Sequence, residues 1–257
     1  MSDIDADAAA ETPAARMPLF YARPEVLEAK RHGALRLKPH PGFGFAAEAN
    51  AIPLNVAEFA KAAVDYPIVF AGTTTLAPLA VTGLRARENL FVDAQGDWAP
   101  GAYVPAYARR YPFILTRPRP DADQVMLCMD MESARVGGEA DEDAATLFEE
   151  GGPSEHAKNA MNFCLEFQRH AAATEEIAEI MRQEGLLAEQ SGKVELSDGE
   201  QLRLTDFQIV DEKKLNALPG ERLDDLRRKG VLGAAYCQLV SMNNWPKLSR
   251  LAEARKP

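Results

Sequence analysis

Apolar and polar positions change period several times along the chain. Between residues 34 and 54 the pairs Leu35/Leu37, Phe43/Phe45 and Ile52/Leu54 each put two apolar side chains on one face of a strand, between proline and glycine breaks. The period then switches. Asn55 is a good N-cap, Glu58 completes a capping-box pattern, and Leu54 and Phe59 are spaced for a hydrophobic staple. This predicts a helix from Val56 to about Asp65, stopped at Tyr66-Pro67 because a residue before proline disfavours the helical region. Pro67–Phe70, Leu79–Val81 and Asn89–Val92 read as short strands, and Asp93–Asp97 as a turn. Arg110–Leu115 and Gln124–Met129 read as two strands joined by the proline-rich loop 117–120. Short strands with brief connections point to a mainly antiparallel sheet.

The second half is more helical. After Ser154, residues Ala160, Phe163, Cys164, Phe167 and Ala171 recur at helical spacing and define one apolar face. Thr174 then reads as the cap of a second helix, with Glu175 and Glu176 set against its dipole and Gly185 ending it. Residues 194–196 and 202–204 alternate about Ser197-Asp-Gly199, a hairpin signal, and Phe207–Val210 continues as a strand. Glu212–Ala217 and Glu221–Lys229 are short amphipathic helices, and the apolar run Val231–Val240 is a buried strand or short helix. The expected fold is therefore α+β: an antiparallel N-terminal sheet with one early helix, a helical pair, a small β-hairpin and short C-terminal helices.

Composition adds boundaries. Residues 1–16 are mainly Ala, Asp and Glu, too poor in large apolar groups to offset ordering, and read as a disordered tail ahead of one globular domain over 17–257. The acidic, glycine-bearing stretch 135–152 is a candidate internal linker. The net charge of −10 disfavours nucleic acid and anionic lipid as partners. No run approaches the roughly 20 apolar residues of a membrane span, and the N-terminus lacks the basic and apolar regions of a secretory signal. The three cysteines, Cys128, Cys164 and Cys237, lie far apart in apolar runs and read as buried free thiols. The expected location is the cytoplasm.

Candidate chemistry is sparse. There is no GxGxxG, P-loop, GxSxG or HExxH pattern. His32, His40, His156 and His170 read as surface or cap residues. His156 and His170 would lie about 21 Å apart on a helix, too far to share a metal. No metal or cofactor is expected. Asp130 closes the apolar strand VMLCMD, a place for either a functional carboxylate or a turn residue.

The segment WAPGAYVPAYARRYPF, residues 98–113, gathers Trp98, Tyr103, Tyr107, Tyr111 and Phe113 around Arg109 and Arg110. Arginine suits bidentate recognition of carboxylate or phosphate, and aromatic rings stack on it. On a strand only one of the two arginines would face inward. Two readings stand: a pocket for an anion or peptide terminus, or an aromatic core holding one Arg–carboxylate pair and one surface arginine. Trp98, Tyr103, Tyr107, Arg109, Arg110, Tyr111 and Asp130 are the candidate ligand-binding residues.

The same run from Asn89 to Phe113 resembles the hallmark of the SapC-like family. So do PLNVAEFAKAAVDYPIVF, LFEEGGPSE, FQIVDEKKLNALP and AAYCQLVSMNNWPKL, and the likeness extends from about Met17 to Leu251. The family name derives from bacterial surface-layer export, and members often carry a peptide-permease label that a chain without a membrane span does not fit. The company these proteins keep, with outer-membrane receptors and with flavin-halogenase-like and cupin-like proteins, implies a part in nutrient uptake or in peptide or glycan modification. The resemblance brings no catalytic residues. The expected role is an accessory or binding protein with a protein partner and a small anionic or peptide ligand. An enzyme built around Arg109, Arg110 and Tyr111 is the alternative, and a surface-layer protein is a weaker one.

Overall fold

The computed structural model describes residues 17–72, 76–119, 124–195, 199 and 201–255. The expected tail lies outside them, as do parts of the 117–120 loop and of the 197–199 turn. The fold is α+β, and the strand ladders are antiparallel. The largest sheet has five strands. Ala51–Pro53 pairs with Ala77–Val81, which pairs with Ile68–Ala71. The long hairpin Leu187–Glu195/Gln201–Val210 then joins through Phe207 opposite Ala71 and Gln208 opposite Phe70. The hairpin thus completes the N-terminal sheet instead of standing apart, and Phe207–Val210 is the end of its second strand. A separate sheet pairs Pro24–Val26 and Phe113–Thr116 on either side of Met126–Asp130.

Several expectations are corrected. The helical pair is one continuous 29-residue helix, Glu155–Gln183. The run AAATEE contains no glycine or proline to break it, so Thr174 has no helix start to cap. Thr174 is buried instead. Its hydroxyl donates to the His170 carbonyl and accepts the Val56 amide at 2.9 Å. Phe43 caps and Phe45 lies within a 3-10 turn, Gly44–Ala46, not a strand. The stretch Asn89–Val92 makes only an isolated bridge, Val92 to Trp98. There Asn89 ties loops together, donating to the Ala46 carbonyl and accepting from the Phe91 amide.

The candidate linker is also structured. Val136–Gly137 and Ala145–Thr146 flank Arg36–Leu37 in a small sheet, and Phe148–Glu149 pairs with Gly152–Pro153. Leu147 is fully buried at the centre of this stretch, which anchors it against the second core. Val231–Ser241 is a helix.

The long helix connects two apolar clusters. Its first turns bring Ala157 and Cys164 to a cluster with Leu37, Phe113, Leu127, Met129 and Leu147. Its last turns bring Ala178 and Met181 to the main core around Phe59, Tyr66, Ile68 and Phe70. Buried polar groups of the C-terminal helices finish that core. Gln238 accepts from the Val210 amide at 3.0 Å and donates to the Ile68 carbonyl at 2.9 Å, and Asn244 donates to the Ala63 and Tyr66 carbonyls. Buried groups with such partners avoid the desolvation cost of an unmatched polar atom.

Candidate functional site

The residues singled out between Trp98 and Asp130 fall into three environments. The deepest holds Trp98. Its indole donates to the Tyr66 hydroxyl at 3.0 Å, and that hydroxyl donates to the Tyr103 carbonyl. Both rings belong to the main core.

The second environment surrounds Asp130, which is almost fully buried. Its carboxylate accepts from the Arg23 amide at 2.7 Å, the Tyr111 hydroxyl at 3.0 Å and the Ala22 amide at 3.2 Å. Asp130 therefore fastens the Ala22–Arg23 backbone to the central strand of the three-stranded sheet. Tyr111 stacks on Phe45 with ring centres 4.2 Å apart.

The third environment carries the two arginines, and it departs from a strand. Pro105 precedes the helical turn Ala106–Arg109, so neighbouring side chains fan around a helix instead of alternating across a sheet. Arg110 turns inward. Its guanidinium carbon lies 4.2 Å from the Tyr107 ring centre and 4.3 Å from that of Phe167, with Tyr21 at 5.8 Å. Its Nε is buried and has no hydrogen-bond partner among the described residues. The inward arginine is thus held by ring faces, and no described carboxylate pairs with it. Desolvated cation–π contacts contribute about 2 kcal/mol, so Arg110→Ala should lower unfolding free energy by about that much in a denaturant titration. Arg110→Lys should restore only part of it, because the ammonium has no flat face to stack.

Arg109 points outward and is exposed. Its Nε donates to the Val104 carbonyl at 3.0 Å and its Nη2 to the Tyr103 hydroxyl at 3.1 Å. The Tyr103 and Phe163 rings lie 5.7 and 5.4 Å from its guanidinium carbon. Among the described residues it has no ion-pair partner, and its Nη1 donates to none. The Tyr103 hydroxyl in turn donates to Glu58 Oε1 at 2.9 Å. Glu58 is buried, and it also accepts from the Ala106 amide at 2.6 Å and the Asn55 amide at 3.0 Å. One carboxylate thus joins the capping segment Asn55–Glu58, the start of the arginine-bearing turn and Tyr103.

These groups line a cleft of 250 Å³ against the long helix. Its wall on that side is Phe163, Glu166, Phe167 and His170. Glu166 is paired with Arg169 at 3.1 Å, so Arg109 is the cation facing the cleft without a described carboxylate. A larger depression of 630 Å³ along the hairpin is lined by Glu189, Gln190, Thr205, Asp206 and neighbours, with no cationic side chain. Volume alone favours it, but the chemistry suited to anion recognition is at Arg109.

A family model described as SapC matches residues 27–248. The chain belongs to the SapC family. No curated protein and no solved structure matches it. In this SapC-family chain, Tyr103 and Arg109 share one site, Tyr107 and Arg110 share the aromatic box behind it, and Phe167 touches both. Trp98 lies apart in the core, and Tyr111 with Asp130 lies apart at the N-terminal strand. Glu58, Phe163, Phe167 and His170 were legible only as a capping residue, a core stripe and a surface histidine. The available signal was a histidine three residues beyond Phe167, on the same helical face.

Among the described residues no helix is long and apolar enough to cross a membrane, and no cluster of three or more His, Cys, Asp or Glu could hold a metal. The phenols near the cleft are held neutral. Burial foremost, and next the Glu58 charge, push Tyr103 up to about 12. Burial also raises Tyr21 and Tyr66. These folded-state values lie above the ordinary phenol value of 10.0. The stability they contribute is therefore complete below about pH 10 and is lost as pH rises from there through about 12. Denaturant midpoints across that window should fall steadily, and a midpoint flat to pH 12 would contradict these environments.

Proposed function

We propose that this SapC-family protein is a soluble, cytoplasmic accessory protein that binds a carboxylate-bearing ligand through Arg109, in support of peptide uptake or modification. The observation that carries this reading is the held but unpaired guanidinium of Arg109 at the mouth of an aromatic-walled cleft. Two of its donors fix its plane, and the remaining N–H groups are available for a bidentate carboxylate. Binding is favoured over catalysis because the other candidate groups already have internal partners. Asp130 is saturated by backbone amides and Tyr111, Tyr103 is engaged by Glu58, and Arg110 is enclosed by rings. Arg109, Arg110 and Tyr111 face three different surroundings, so they do not converge on one reacting atom.

The test is calorimetric titration of N-acetyl-aspartyl amide into the wild-type protein and Arg109→Gln. The reading predicts saturable binding that weakens at least about tenfold in the variant, the scale of a lost charge-assisted hydrogen bond. Arg109 is exposed, so the variant should keep its stability within about 0.5 kcal/mol. Equal affinity in the two proteins would refute it.

A further inference from the structure

The cleft does not stand alone. Tyr103 and Arg109 also border a second depression of 630 Å³, lined further by Lys61, Val64, Asp65, Gly101, Ala102 and Val104. The cleft by itself, at 250 Å³, falls below the roughly 300–1,000 Å³ of sites that enclose a small organic ligand. With its neighbour it reaches well into that range, and Arg109 lies at the border between the two.

The two lobes have matching character. The first offers the Phe163 and Phe167 rings. The second offers Val64, 70 % exposed, with Ala102 and Val104 beside it. A valine this exposed leaves apolar surface for something else to cover. The charges between them also agree. Asp65 is neutralised by Lys247 at 2.8 Å and accepts the Tyr103 amide at 2.9 Å. Lys61, in contrast, is exposed and has no ion-pair partner among the described residues. The unpaired charges at this border are two cations, on a chain whose net charge is −10.

Resting on the binding role proposed above, the geometry points to an extended peptide as the ligand: one acidic side chain pinned by Arg109 and apolar residues on both sides, one in each lobe. A lone small anion would use the border and leave both apolar lobes uncovered. A purely apolar peptide would leave Arg109 and Lys61 desolvated without a partner, which is unfavourable. An acidic residue between apolar ones satisfies both.

The test compares N-acetyl-Leu-Asp-Phe amide with N-acetyl-aspartyl amide and with N-acetyl-Leu-Asn-Phe amide, titrated into the full chain. The tripeptide with aspartate should bind at least about tenfold more tightly than either, because two flanking side chains add apolar burial and the carboxylate adds the charge contact. In Val64→Asp the advantage of the tripeptide over the single residue should fall below about threefold, since that change removes the apolar surface of one lobe, while repulsion of the shared carboxylate weakens both ligands alike. Equal affinities for the tripeptide and the single residue would overturn the two-lobe ligand while leaving the Arg109 reading intact. Absence of binding for all three would overturn both.

Discussion

Replacing Asp130 with alanine should lower the unfolding free energy by about 3 kcal/mol, since it removes a buried, charged acceptor from three donors. The Arg23 and Ala22 amides and the Tyr111 hydroxyl would lose their partner at once. The Tyr111 hydroxyl keeps Ser133 as a neighbour, but the two amides have no other described acceptor, and the carboxylate they would lose is 1 % exposed. For a chain of this size the loss corresponds to about 6–12 °C in Tm. Asp130→Asn keeps an acceptor and should lose about half as much. The alanine variant should also loosen residues 20–26, because two of the lost bonds hold their backbone. Hydrogen exchange would show this as faster exchange at the Ala22, Arg23, Glu25 and Val26 amides and at the partner strand Met126–Asp130. A melting point within about 2 °C of wild type for Asp130→Ala would mean that the carboxylate is not the fastener described here.

A similar loss is expected at Glu58, with a second consequence. Glu58→Ala leaves the Asn55 and Ala106 amides and the Tyr103 hydroxyl without their common acceptor, again about 3 kcal/mol. Glu58→Gln should lose less. Its amide oxygen can keep Oε1's two donors, but its NH₂ then faces the Asn55 N–H. Glu58 differs from Asp130 in lying one bond behind the site. Tyr103 accepts from Arg109, so freeing Tyr103 frees the guanidinium. Glu58→Ala, which removes the acceptor of the Tyr103 hydroxyl, should therefore weaken binding of N-acetyl-aspartyl amide as well as lowering stability, whereas Asp130→Ala should lower stability alone. Denaturant titration and calorimetry on the same two proteins separate the effects. Identical ligand affinity in Glu58→Ala and wild type would break the link between carboxylate and arginine.

How much of this could be read from the sequence differs by element. The capping box at Asn55–Glu58 was visible because its pattern is local, and the Asn55 amide does donate to Glu58. Ile68–Ala71, Ala77–Val81 and Met126–Asp130 were visible because apolar runs between turn residues leave few alternatives. The continuous helix through Thr174 was not, because threonine is a good N-cap and only the Val56 amide, 118 residues away, gives its hydroxyl a reason to be mid-helix. The strand expected at Arg110 failed for a related reason. Tyr–Ala–Arg–Arg is neutral between helix and strand, and Pro105 with the Glu58 acceptor decides for a helical turn.

The site followed the same rule. Clustering of tyrosines and arginines in one stretch identified the neighbourhood. It did not identify which arginine faces inward, since alternation across a strand was the wrong geometry. Nor did it supply the opposing wall, because Phe163, Phe167 and His170 come from a helix more than fifty residues on and look like an ordinary core stripe. Contacts that depend on two distant elements meeting carry no local pattern, and Glu58, Arg109 and Phe163 meet only in the folded chain.

The central claim is that the free face of Arg109 receives a carboxylate. Its most direct test follows the Arg109 Nε–Hε resonance, assigned by its loss in Arg109→Gln, while N-acetyl-aspartyl amide is added to isotope-labelled protein. The account predicts a saturable shift of that resonance, with the Phe163 and Phe167 amides moving at the same ligand concentration and the hairpin residues Glu189 and Asp206 unmoved. An unmoved Arg109 resonance, with shifts confined to the hairpin depression, would contradict it.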